Sequence, residues 1–131
     1  MRLSLTLKAE FKEVPSVVER VMDIVRSMQC SEGKEAEIQV SLSEALINAI
    51  DHGCGQDPEK EIQLCVACDE ARGMLLVVRD PGEGFDPESI PNPSVGLNLY
   101  QEHGRGIYLI NQLMDEVQYS DGGTTIRMRA D

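Results

Sequence analysis

Glu61-Ile62-Gln63-Leu64-Cys65-Val66-Ala67-Cys68-Asp69 and Met74-Leu75-Leu76-Val77-Val78-Arg79 are two strand-like runs separated by a short segment carrying Gly73. So short a link fits an antiparallel hairpin, because parallel neighbours need a crossover of a dozen or more residues. Toward the N-terminus, Leu3, Leu5 and Leu7 alternate with Arg2, Ser4, Thr6 and Lys8, the period of a half-buried strand. Val17, Val18, Val21, Met22, Ile24, Val25 and Met28 then recur at helical spacing behind Pro15, which suits a first helical position. A second helix is predicted from about Lys34 to His52, with Gly53 standing where a C′ glycine would end it.

Beyond the hairpin, Pro81, Gly82, Gly84, Pro87, Pro91, Pro93 and Gly96 dominate the chain up to His103. A loop of that length inside a compact domain is usually functional. Gly104-Arg105-Gly106 opens a third helix, with Ile107, Leu109, Ile110, Leu113 and Met114 as its apolar face. Val117 and Tyr119, then Ile126 and Met128, sit on two last strands turned at Asp121-Gly122-Gly123. The predicted order is β-α-α-β-β-loop-α-β-β. This is a single α+β domain over residues 1–131, a two-layer sandwich with helices on one face of a mixed, largely antiparallel sheet.

The chain has 131 residues, with 12 basic against 23 acidic side chains and a net charge of -11. One core of this size stands without disulfides or metal. The acidic balance argues against nucleic acid, whose binders need a basic footprint, and against anionic membrane surfaces. No apolar run approaches the roughly 20 residues of a membrane span, and the N-terminus lacks the apolar block of a signal peptide. A soluble, cytoplasmic protein is expected. Cys30, Cys54, Cys65 and Cys68 are too few and too irregularly spaced for a secreted disulfide framework. Cys65 and Cys68 form a C-x-x-C, but residues three apart on a strand point to opposite faces, so packed thiols are expected instead of a zinc or redox pair.

On the second helix, with Glu44 at zero, Asn48 falls near about 40°, Asp51 near about -20° and His52 near about 80°, while Ile38, Leu42, Ala45, Leu46 and Ala49 gather between about 100° and 200°. By itself such a stripe is equally a solvated outer face. Its chemistry offers more: Asn48 could give one oxygen to Mg²⁺, and Glu44 one turn away could take a proton from an alcohol or water. His52 in the last turn is also well placed against the helix dipole. Asp80-Pro81-Gly82-Glu83-Gly84-Phe85 follows directly on a strand, as an ordinary turn or as a place where a flat ring approaches the backbone. Gly104-Arg105-Gly106 lies at a helix start, where free N–H groups and the dipole attract phosphate, and Arg105 either adds charge there or lies in solvent.

Taken in order, these segments resemble the boxes of the GHKL, or Bergerat-fold, ATPases. Ser43-Glu44-Ala45-Leu46-Ile47-Asn48-Ala49-Ile50-Asp51-His52-Gly53 is similar to the N box, the Asp80 to Phe85 segment to the first glycine box, and Gly104-Arg105-Gly106-Ile107-Tyr108-Leu109-Ile110 to the second. Gly123-Thr124-Thr125-Ile126-Arg127-Met128 resembles the closing strand beside the adenine. The compact length and the tail Leu113-Met114-Asp115-Glu116-Val117 are similar to the anti-sigma-factor serine-protein kinases. That resemblance implies ATP and Mg²⁺ as cofactors, Asn48 as the Mg²⁺ ligand and Glu44 as the general base. It implies Asp80, Gly82, Gly84 and Thr125 in the adenine pocket, Gly104, Arg105 and Gly106 along the triphosphate, and an ATP lid over about residues 87–103. It also implies a homodimer that binds a sigma factor and phosphorylates a serine on an anti-anti-sigma antagonist, with no direct nucleic-acid or membrane contact. Two other readings share these boxes: a nucleotide-dependent binding module without significant kinase activity, and a histidine-kinase-like catalytic domain working in trans.

Overall fold

In the computed structural model, residues 2–30, 33–55, 57–69, 73–81, 102–120 and 124–130 are described. The alternating runs form strands β1 (Arg2–Lys8), β2 (Glu61–Asp69), β3 (Gly73–Arg79), β4 (Glu116–Ser120) and β5 (Thr125–Ala130). They make one sheet in the order β1-β2-β3-β5-β4. Each described pair is antiparallel, so the sheet expected to be mixed is antiparallel throughout these strands. The alternation puts Leu7, Ile62, Leu64, Val66, Met74, Leu76, Val78, Met128 and Ala130 on one buried face.

Three helices cover that face: α1 (Val14–Met28), α2 (Glu35–Asn48) and α3 (Glu102–Leu113). A 3₁₀ turn at Phe11–Glu13 leads into α1. Val21, Met22, Ile38, Leu42, Leu46, Ile50 and Ile110 are fully buried from the helical side. Helix α2 is the middle one, packed between α1 and α3. Before α2, Lys34 Nζ donates to both Asp115 oxygens at 3.2 Å, and Asp115 follows α3. As an exposed pair it adds little energy, but its position shows that α2 and α3 run antiparallel. The C-terminal end of α2 therefore lies beside the start of α3. No helix among the described residues is long and apolar enough to cross a membrane.

Two boundaries differ from expectation. Gly53 is not a C′ glycine: α2 passes into a π turn over Ala49–Gly53, closed by Cys54 N–H donating to Ala49 C=O at 2.9 Å. The left-handed residue that follows is Gly55, at φ +59°. Helix α3 begins at Glu102, ahead of the Gly104-Arg105-Gly106 stretch expected to open it, so the lid cannot extend as loop to His103. The rest of the expected lid, residues 87–101, and the expected turn at Asp121-Gly122-Gly123 lie outside the described residues.

The cysteines also correct the expectation of packed thiols throughout. Cys30, just past the end of α1, is disulfide-bonded to Cys68 on the inner face of β2, with Cα atoms 5.6 Å apart. The opposite-face reading of the C-x-x-C holds: Cys65 is a half-buried free thiol on the other face, 3.4 Å from Ser4 Oγ. Cys54 is a buried free thiol.

Two outcomes follow from these contacts. The disulfide closes a loop of sequence separation 38, which restricts the unfolded chain by about 4 kcal/mol. Urea unfolding with and without a dithiol reductant should differ by about that amount, and Cys68→Ser should abolish the difference. Between α3 and β4, Asn111 Nδ2 donates to Tyr119 Oη at 3.3 Å. Burial pushes the Tyr119 hydroxyl from its ordinary 10 up to about 12, against the opposing pull of the Asn111 hydrogen bond. A raised folded-state pKa gives stability that is complete below pH 10 and lost as pH rises toward 12. Unfolding free energy should fall across that window, and less steeply in Tyr119→Phe.

Candidate active site

Helical spacing sets Glu44 and Asn48 one turn apart on α2, and both are half-buried. Asn48 is the last α-helical residue, and the π turn then carries Asp51 and His52 forward with a wider repeat than an α-helix has. Their expected angular positions therefore do not hold beyond Asn48. Asp51 is half-buried with its own partner, and only the backbone of His52 is described.

At the end of this turn the backbone of Gly53 lies against the Asp80 side chain. A Cβ on residue 53 would overlap Cγ and both carboxylate oxygens of Asp80. Glycine is needed here for close approach, not for its dihedral freedom. Asp80 is anchored in turn, because its N–H donates to Thr124 C=O at 2.9 Å and extends the β3–β5 ladder by one pair. Burial and the neighbouring Asp80 carboxylate raise the Cys54 thiol pKa, Lys60 opposing, so Cys54 stays a protonated packing group.

Thr125, buried, is opposite Arg79, so by alternation it lies on the sheet face away from Val78 and Ile126. Thr124 is half-buried and opposite Asp80.

The antiparallel arrangement of α2 and α3 brings the backbone of Gly104, Arg105 and Gly106 to the same end of the sheet as Asn48, Gly53 and Asp80. Gly82 and Gly84 lie outside the described residues, as does the side chain of Arg105. The amide end of a helix beside a carboxamide and two carboxylates offers anion binding next to proton acceptance.

Three buried polar atoms have no hydrogen-bond partner among the described residues: Glu37 Oε2, Ser41 Oγ and Asn48 Nδ2. All three lie on α2, with Ser41 about 60° and Glu37 about 20° from Glu44 around its axis. Periodicity could have shown that the stripe continues this far, since the same spacing places both residues on it. Leaving such an atom unmatched costs about 1–3 kcal/mol. The unmatched Asn48 atom is an N–H donor and calls for an acceptor, so a metal would have to use the carboxamide oxygen instead. An oxygen donor beside a carboxylate suits Mg²⁺, which keeps waters and takes its other ligands from phosphate, so the residues fit that ion.

The family of histidine kinase-like ATPase domains matches this chain over residues 7–130. The serine-protein kinase RsbW of Staphylococcus epidermidis is 35% identical over 98 residues, covering 69% of this chain and 61% of the relative. The serine-protein kinase RsbW of Bacillus licheniformis is 32% identical over 102 residues, and that of Bacillus subtilis strain 168 is 30% identical over 99 residues. In both, the match covers 70% of this chain and 61% of the relative. The chain therefore spans less than two thirds of the length of these relatives.

The contact at Gly53 gives a test of the site's architecture. Gly53→Ala must displace Asp80 or the π turn and should destabilise the fold by about 1–3 kcal/mol. Gly55→Asn, at a left-handed position with open space around it, should change the urea midpoint little.

Proposed function

Because the chain belongs to the family of histidine kinase-like ATPase domains, we propose that it is an ATP-dependent serine-protein kinase acting as an anti-sigma factor in a partner-switching circuit. It binds a sigma factor and phosphorylates a serine on an anti-anti-sigma antagonist, as a cytoplasmic homodimer. The observation that carries this reading is the pairing of Glu44 with Asn48 one turn apart on α2, whose end is closed by the Gly53–Asp80 contact. Names of relatives add weight, since three serine-protein kinases align over about 70% of the chain.

In this reading Asp80 accepts a hydrogen bond from the exocyclic amine of adenine, with Thr124 beside it and Gly82 and Gly84 giving the ring room. Gly104, Arg105 and Gly106 border the triphosphate at the start of α3, where the helix dipole offsets a chain whose overall charge of -11 repels nucleotide. Asn48 would hold Mg²⁺ through its carboxamide oxygen, and the ion would supply positive charge beside the phosphoryl oxygens. Glu44 accepts the proton of the attacking serine hydroxyl as its oxygen bonds to the γ-phosphorus and ADP leaves. The rest of the work is positioning, which suits a site built from two rigid helices and a strand end.

Calorimetric titration with ATP, with and without Mg²⁺, tests the pocket, and transfer of labelled phosphate to an anti-anti-sigma protein tests the reaction. Asp80→Asn should lose ATP binding. Glu44→Ala should keep ATP affinity while transfer falls by about 10²–10⁴-fold. Wild-type binding without transfer would instead identify a nucleotide-dependent binding module.

A further inference from the structure

Ser41 is fully buried on α2, and its hydroxyl has no partner. The comparison with other helix serines is informative. Ser27 donates to the Asp23 carbonyl at 3.0 Å and Ser43 to the Gln39 carbonyl at 2.8 Å, each four residues back. That local bond is open to any serine inside a helix. Ser41 is the more deeply buried and has the greater need of it, yet it does not make it. Its Oγ therefore leaves the Glu37 carbonyl behind it unused, and by helical spacing it shares a stripe with the side chains of Glu37 and Glu44.

Helical side chains lean toward the N-terminus, so Glu44 reaches back over the residue three before it, which is Ser41. Glu37 lies four residues before Ser41, and its Oε2 is also buried and unmatched. An acceptor thus stands on each side of one unspent donor. The side chains of Glu44 and Ser41 make no hydrogen bond or ion pair to another described residue. A buried, unsatisfied hydroxyl is a liability in a core helix, and three residues from a carboxylate with a chemical task it has a use.

We propose that Ser41 is the positioning residue for Glu44: its hydroxyl donates to the Glu44 carboxylate when nucleotide and acceptor are bound. The donated bond fixes the rotamer of Glu44, leaving its other oxygen directed at the attacking hydroxyl. In the ligand-free site the Ser41 hydroxyl bonds neither Glu37 Oε2 nor its own helix, so it is free to be recruited. No atom of Ser41 touches nucleotide or acceptor. The inference rests on the reading of Glu44 as the general base and goes beyond it by naming what orients that base.

The test joins a stability measurement with a kinetic one on the full chain, comparing wild type, Ser41→Ala and Ser41→Cys. Urea unfolding of Ser41→Ala should show a midpoint equal to or above wild type, because an unmatched buried hydroxyl has been removed. Calorimetric MgATP affinity should be unchanged. ADP formation from saturating MgATP, with water as acceptor, should fall about ten- to a hundredfold in kcat with little change in KM. Ser41→Cys, with a weak donor in the same place, should lie between the two. Wild-type kcat in Ser41→Ala overturns the proposal, and so does a lowered urea midpoint, which would show a hydroxyl committed to structure. If wild type binds MgATP but forms no ADP, or Glu44→Ala hydrolyses it at the wild-type rate, the assignment of Glu44 fails and the role of Ser41 with it.

Discussion

The contact between the Gly53 backbone and the Asp80 carboxylate is the constraint on which the candidate site depends. Helix α2 and strand β3 are separate layers, and side-chain packing alone would hold their ends a full layer apart. A residue without a Cβ lets the end of the π turn reach the end of β3. With that approach made, the end of α2 that carries Asn48 meets the end of β3 beside Asp80. The β3–β5 ladder and the Lys34–Asp115 pair then fix the remaining walls, by placing Thr124 and the start of α3 at the same end.

The order of elements could be read from the chain because it rests on local periods. Leu3, Leu5 and Leu7 repeat every second residue, and Ile38, Leu42, Ala45 and Leu46 follow the helical repeat. Where the reading went astray, the deciding contact was distant in sequence. Gly53 sits where helices commonly end, so its local context suggests a cap, whereas its true neighbour is across the fold. Thr124 and Thr125 are adjacent, and in a strand a shift of one residue moves a side chain to the opposite face. Which face each takes depends on the pairing of Asp80 with Thr124, distant in sequence. Cys30 and Cys68 have no telling spacing, because their meeting depends on how the end of α1 crosses β2.

The polar stripe of α2 shows how a site is placed in a helix that is also the centre of the core. The helix is flanked by α1 and α3, and the polar side chains of its stripe, Glu37, Ser41, Glu44 and Asn48, are partly or wholly covered. Ordinary core design would put Ala or Leu at residue 41. The chain carries Glu37, Ser41, Glu44 and Asn48 there, at a cost in stability that the large apolar cluster around Met22, Leu42, Leu46 and Met74 can bear.

The bond between Cys30 and Cys68 makes a covalent ring of the intervening backbone, and all of α2 lies inside it. Asp80 and α3 lie outside. The cleft is thus assembled across a topological boundary, with Glu44 and Asn48 on a closed circuit and the opposite wall on an open tail. A single peptide-bond cut between the two cysteines would leave the pieces joined, while a cut beyond Cys68 would part the wall holding Asp80 from the ring holding Glu44. During synthesis the ring can close only after β2 has been made, so the helix carrying Glu44 must first find its place by packing alone.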